Sequence, residues 1–104
     1  MQQPSDQIVE EVNSSIRYTM WSVFATTGQI SPFEREEIVK AAEEAVAATG
    51  VVVRGYYDVA GLRADADLMA WWHAETIEEV QAAYHALLNS DLPISPVWSV
   101  VGLH

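Results

Sequence analysis

The 104-residue sequence contains no cysteine. Disulfides, thiolate nucleophiles and cysteine-held zinc or iron–sulfur centres are therefore excluded, and the chain suits a reducing cytoplasm. Basic residues are scarce too. Five Lys and Arg stand against fifteen Asp and Glu, a formal net charge of -10. The field around such a domain repels phosphate backbones and anionic membrane surfaces, so neither nucleic acid nor membrane is an expected partner. No apolar run approaches membrane-spanning length, and the opening "MQQPSDQIVEEVNSS" lacks the basic region and apolar core of a secretory leader. A soluble, cytoplasmic protein is expected. There is also no glycine-rich phosphate loop, nucleophile elbow or Ser/His/Asp pattern, and Gly61 alone forms no cradle. No catalytic residue is assigned.

What the chain does have is apolar material: half of it is hydrophobic and 10% aromatic. A chain of this length buries about 65% of its unfolded surface, enough for one core and not for two. The polar stretch 1–15 reads as an N-terminal arm, and 16–104 as a single domain. "IRYTMWSVFA" (16–25) has strand composition, with Tyr18, Met20, Ser22 and Phe24 on one face and Arg17, Thr19, Trp21 and Val23 on the other. "SPFE" (31–34) offers a capping box, Ser31 with Glu34, for a helix running to about Ala48 and stopping at Gly50. That helix is expected to bury Ile38, Ala42, Ala45 and Val46. "VVVRGYYDV" (51–59) and "DADLMAWWHA" (65–74) read as a hairpin. "TIEE" (76–79) caps a second helix that ends near Asn89, and "PVWSVVGLH" (96–104) is a fourth strand.

The order β-α-β-β-α-β predicts an α+β, ferredoxin-like fold, with two helices covering one face of a four-stranded antiparallel sheet. The other face stays open. Adjacent Tyr56 and Tyr57, and adjacent Trp71 and Trp72, must point to opposite faces, so both faces carry large aromatics. A wet aromatic face marks an interface. The expected partner is a second such sheet, from another ferredoxin-like half or a homo-oligomer, closing an α+β barrel with Tyr56, Tyr57, Trp71 and Trp72 as its interface candidates.

His73, His85 and His104 show neither H-x-H nor H-x-x-x-H spacing, and no metal site is expected. His85 reads as a surface residue of the second helix. His73 and His104 end strands, where a haem ligand can sit although an edge or interface histidine is commoner; they are the weak candidates for cofactor binding. The pair Asp65 and Asp67 reads as turn chemistry rather than an acid and base or a cation site, and Arg54, Asp58 and Arg63 as a small ion-pair network rather than a recognition cluster on the hairpin.

Three stretches, "RYTMWSVF" (17–24), "GVVVRGYYDVAGLRADADLMAWWHA" (50–74) and "PVWSVVGLH" (96–104), together resemble the chlorite dismutase family, and most of all its HemQ branch, the actinobacterial coproheme decarboxylases. The resemblance implies subunits of two ferredoxin-like halves assembled in a ring, and peroxide-driven oxidative decarboxylation of two coproheme propionates to give haem b. It covers only the first half. The family's iron ligand, redox tyrosine and propionate-binding residues belong to the second half, so none is carried onto a position here. The resemblance therefore implies a structural and assembly role, with haem or coproheme as cofactor of the parent family, none for this chain alone, and no activity alone. A stop straight after the fourth strand fits a cut between halves. The alternatives are a stand-alone dimeric barrel binding haem or a small hydrophobic ligand, and a pure oligomerisation module. One segment departs from the resemblance: "LLNSDLPIS" (87–95) is apolar and acidic where a more basic stretch is expected.

Overall fold

The computed structural model describes residues 17–62 and 64–103. The expected arm at 1–15, Arg63 and His104 lie outside the described residues. The elements are β1 (Tyr18–Thr26), α1 (Arg35–Ala47), β2 (Val52–Asp58), β3 (Leu68–Ala74), α2 (Ile77–Leu88) and β4 (Ile94–Leu103). All four strands pair antiparallel in the order β2-β3-β1-β4, the ferredoxin-like arrangement.

Cross-strand partners share a face, so the register sorts the side chains. On the helix side, Tyr18, Met20 and Phe24 of β1 pair across β3 with Ala74, Trp72 and Leu68. Against them pack Ala42 and Val46 of α1 and Val80, Ala83 and Leu87 of α2, all buried. Trp72 is 0% exposed and is the largest fully buried side chain. Phe24 lies under Tyr84 with ring centroids 6.0 Å apart. Small residues at Ala70, Ala74 and Ala83 let the helices approach closely enough to seal these rings. Ala45, expected in this core, is exposed instead: the buried pair Ala42 and Val46 stands at the i, i+4 spacing of a narrow stripe, and Ala45 falls beside it.

The two helix starts differ. At α2, Thr76 is an extended N-cap whose Oγ1 accepts from the Glu79 amide at 3.2 Å and donates to the Glu79 carboxylate at 2.8 Å. Thr76→Ala is expected to cost about 1 kcal/mol, read as a lower urea midpoint with an unchanged slope. At α1 the expected box does not form. Glu34 is the N-cap residue, its backbone already helical, and no side chain caps the helix. Ser31 instead anchors a preceding turn: its carbonyl accepts from the Glu34 and Arg35 amides, both at 3.0 Å. This turn uses the backbone that a capping box would need extended, so the helix begins at Arg35. At the other end, Gly50 takes φ +91°, the left-handed conformation expected of it. A Cβ there would also stand 2.7 Å from a Glu79 carboxylate oxygen, so the end of α1 and the start of α2 meet at a glycine.

Candidate functional site

The sheet face away from the helices is the site. Its rows follow from the register: Thr19, Trp21 and Val23 of β1 pair with His73, Trp71 and Met69 of β3, and with Gly102, Val100 and Trp98 of β4. From β2 come Val52, Gly55 and Tyr57. In the middle, Trp21 and Trp71 stack with centroids 5.6 Å apart and planes 21° from parallel. The Trp71 indole is fixed from its edge too, because its Nε1 donates to Thr19 Oγ1 at 2.9 Å. The Arg54 guanidinium lies 5.4 Å from the Trp71 ring centroid, a cation–π contact. A bulge in β2 between Val53 and Gly55 makes Arg54 the extra residue.

One edge of this platform is polar. Arg17 Nε donates to His73 Nδ1 at 2.7 Å, and Arg17 also lies 3.6 Å from Glu75. An arginine only donates, so His73 must accept with a neutral Nδ1 and carry its proton on Nε2. Thr19, Arg54, Trp71 and His73 enclose a notch of about 110 Å³. Around it the face is apolar and wet: Trp98 is 48% exposed, Tyr57 40%, and Val52 and Val100 are comparable. The Tyr57 ring folds back over Gly55, where a Cβ would fall within 3 Å of three ring and hydroxyl atoms. Gly55→Ala is therefore expected to push Tyr57 off the sheet, seen as loss of the Tyr57 ring-current shifts on its neighbours.

The four aromatic interface candidates divide. Tyr57 and Trp71 lie on the open face. Tyr56 and Trp72 pair with Ala70 and Val53 on the helix side, so Trp72, with no exposed surface, is a core residue and not an interface one. The open face draws instead on Trp21, Trp98, Val52 and Val100, which follow from strand parity once the register is known. His73 joins Arg17 at the edge of the platform; His104 lies outside the described residues. His85 is exposed in the last turn of α2, as expected. Asp67 is no turn residue: its Oδ2 accepts from the Thr26 amide and hydroxyl, tying the end of β1 to the hairpin. Asp58 supplies the turn chemistry, accepting from the Ala60 amide at 2.9 Å. Arg54, expected in an ion pair, meets Trp71 because the bulge turns it onto the ring.

On the opposite side, the Tyr56 hydroxyl and Trp72 Nε1 are buried without a hydrogen-bond partner. Burial, aided by the nearby Glu43 carboxylate, pushes the Tyr56 phenol up to about 12. A raised acid pKa means the folded state resists losing the proton that the unfolded chain loses near pH 10. Stability contributed by this group is full below that pH and falls as pH rises toward 12. An alkaline titration followed by tyrosinate absorbance should show one late component that disappears in Tyr56→Phe.

The chlorite dismutase family model matches residues 35–104. A coproheme decarboxylase from Mycolicibacterium smegmatis is 46% identical over 101 residues, covering 91% of this chain and 44% of the relative. Among solved structures, a chlorite dismutase from Candidatus Nitrospira defluvii in complex with imidazole superposes with a TM-score of 0.75 at 21% identity, over 94% of this chain and 43% of that one. A mutant of that enzyme with cyanide gives 0.74 over 84% and 39%. The chain thus spans under half the length of these relatives, and the sheet with its two helices is the part they share. It belongs to the chlorite dismutase family, and a coproheme decarboxylase is among its curated relatives.

Proposed function

We propose that this domain is a structural and assembly half of a cytoplasmic, HemQ-like coproheme decarboxylase, docking through its open sheet face onto a second ferredoxin-like half. The observation that carries this is the platform itself. Stacked Trp21 and Trp71, flanked by exposed Trp98, Val100, Val52 and Tyr57, form an apolar surface continuous across all four strands. Such a surface marks an interface, and a second sheet is the shape that fits a flat aromatic face. The 46% identity to a coproheme decarboxylase supplies the chemistry that the assembly serves.

The described residues do not fit coproheme by themselves. His73, the one candidate ligand described, accepts from Arg17 at Nδ1, which keeps its proton on Nε2, so in this arrangement neither ring nitrogen offers a lone pair to iron. The notch beside it, at about 110 Å³, is far below the several hundred Å³ of a pocket for a large ligand. Four carboxylates on the porphyrin also need cationic partners, which a chain of net charge -10 supplies poorly. No catalytic step is therefore assigned to this chain alone.

The test is to mix the purified chain with a second-half polypeptide from a family member and follow sedimentation, the Soret band of added ferric coproheme, and peroxide-dependent decarboxylation. Co-sedimentation with a Soret shift and turnover only in the mixture is the expected result. A chain that stays monomeric at micromolar concentration with its fold intact, and ignores the second half, would overturn it. So would a sharp Soret shift with the chain alone. Homodimerisation that competes with the second half would point to a self-closing barrel instead.

A further inference from the structure

Of the residues in the four strands only Arg54 and Asp58 carry a full charge. Asp58 pairs with Leu68, itself opposite Phe24, and so belongs to the helix side. Arg54, the extra residue of the β2 bulge, reaches inward from the edge strand until its guanidinium lies 5.4 Å from the Trp71 ring centroid. The open face therefore presents a guanidinium and no strand carboxylate, in a chain whose net charge is -10. The ring attracts the charge as a whole and leaves the in-plane N–H donors to water. Among the described residues no carboxylate stands within ion-pair distance of Arg54.

Docking changes the state of that guanidinium. A partner that covers Trp71 also takes water from Arg54, and a charge left unanswered in a dry interface opposes binding strongly. The surface that fits carries the opposite charge at this point. A second copy of this chain fits poorly, since its open face offers Arg54 no strand carboxylate and both copies carry the same net charge.

Room for the counter-ion is already present. The notch enclosed by Thr19, Arg54, Trp71 and His73 holds about 110 Å³, well above the roughly 30 Å³ share of one water molecule, so a carboxylate head enters it. Its other walls are committed to one another: Trp71 Nε1 donates to Thr19 Oγ1, and His73 Nδ1 accepts from Arg17. Arg54 is the cation in the wall. A guanidinium meets a carboxylate through two parallel N–H···O bonds, which fixes the angle of approach as well as the place. We infer that the second half inserts the carboxylate of an aspartate or glutamate side chain into this notch, against Arg54, and that this pair sets the register of the two sheets. The inference rests on the open face being the docking face, and names what the partner carries there.

The test begins with calorimetry of the whole chain against a second-half polypeptide from a family member. Arg54→Met keeps an apolar stem on Trp71 and removes the charge; it is expected to weaken binding at least about tenfold, the loss of one charge-assisted hydrogen bond, and to flatten the salt dependence. Arg54→Lys finds the carboxylate directly. A carbodiimide activates a carboxylate, and an amine in contact with it displaces the urea to leave an amide. The native chain has a single lysine, Lys40, exposed on α1 across the sheet, so few competing joins form. Mass spectrometry of the Arg54→Lys complex should find position 54 joined to one acidic residue of the second half. Replacing that acid by its amide should weaken the native chain and leave Arg54→Met with no further loss. Arg54→Met binding within about twofold of the native chain, or a saturated Arg54→Lys complex with no join from position 54, would overturn the inference and leave the docking face standing. Failure of the native chain to associate at all would overturn both.

Discussion

Trp72→Ala is expected to remove about 3–5 kcal/mol of the stability of the domain. The indole is fully buried and cross-strand from Met20 and Val53. Truncating a buried tryptophan costs about 3–5 kcal/mol, because the lost transfer energy adds to an unfilled cavity. A domain of this size has about 5–15 kcal/mol in total. The urea midpoint should fall by about a fifth at the top of that range, and at its bottom little or no stability remains without denaturant. Trp72→Phe should be far milder than its loss of volume suggests. The Trp72 Nε1 has no partner, so removing it also removes a desolvation cost of about 1–3 kcal/mol. If Trp72→Phe proves as damaging as Trp72→Ala, the indole N–H has a partner after all and this account of the core is wrong.

The second large effect is on association. Trp71→Glu places a carboxylate at the centre of the open face, removing the stack on Trp21 and the cation–π contact of Arg54 together. Central tryptophans are where interfaces concentrate their energy, and truncating one costs about 2 kcal/mol or more before the burial of a new charge is counted. Binding to a second half should weaken by at least about thirtyfold by sedimentation or calorimetry. The helix side makes no use of Trp71, so far-ultraviolet circular dichroism should be unchanged. Val100→Glu, on an exposed position of the same face, should weaken binding in the same direction and by less. Undiminished association in a folded Trp71→Glu chain would place the interface elsewhere.

The fold was legible because periodicity carries it. Strand runs alternate, "TIEE" announces a cap, and Gly50 ends a helix in a left-handed conformation that glycine adopts without steric cost. The site was legible only by half. That Trp71 and Trp72 oppose each other follows from chain geometry, but which of them faces the helices depends on the pairing of β3 with β1, and one residue of slippage would exchange them. The contact of Arg54 is hidden for a related reason: a bulge is not visible in composition, and it is the bulge that turns Arg54 onto an indole. Read from its neighbours in sequence Asp67 belongs to a turn, whereas its side-chain bonds go to Thr26, forty-one positions away.

The bulges have one more implication. Both outer strands carry one: β2 at Arg54, and β4 where its register against β1 shifts between Val23 and Phe24, next to Pro96. A bulge over-twists an edge, a charge at the rim must be desolvated to pair, and proline offers no amide to a neighbouring ladder. Copies of this chain deprived of a partner are thus poorly equipped to add strand to strand into a growing ribbon, while their aromatic planes remain free to meet. Overexpressed alone, the domain should cloud solution as reversible, salt-tolerant clusters of stacked layers rather than thioflavin-positive fibres.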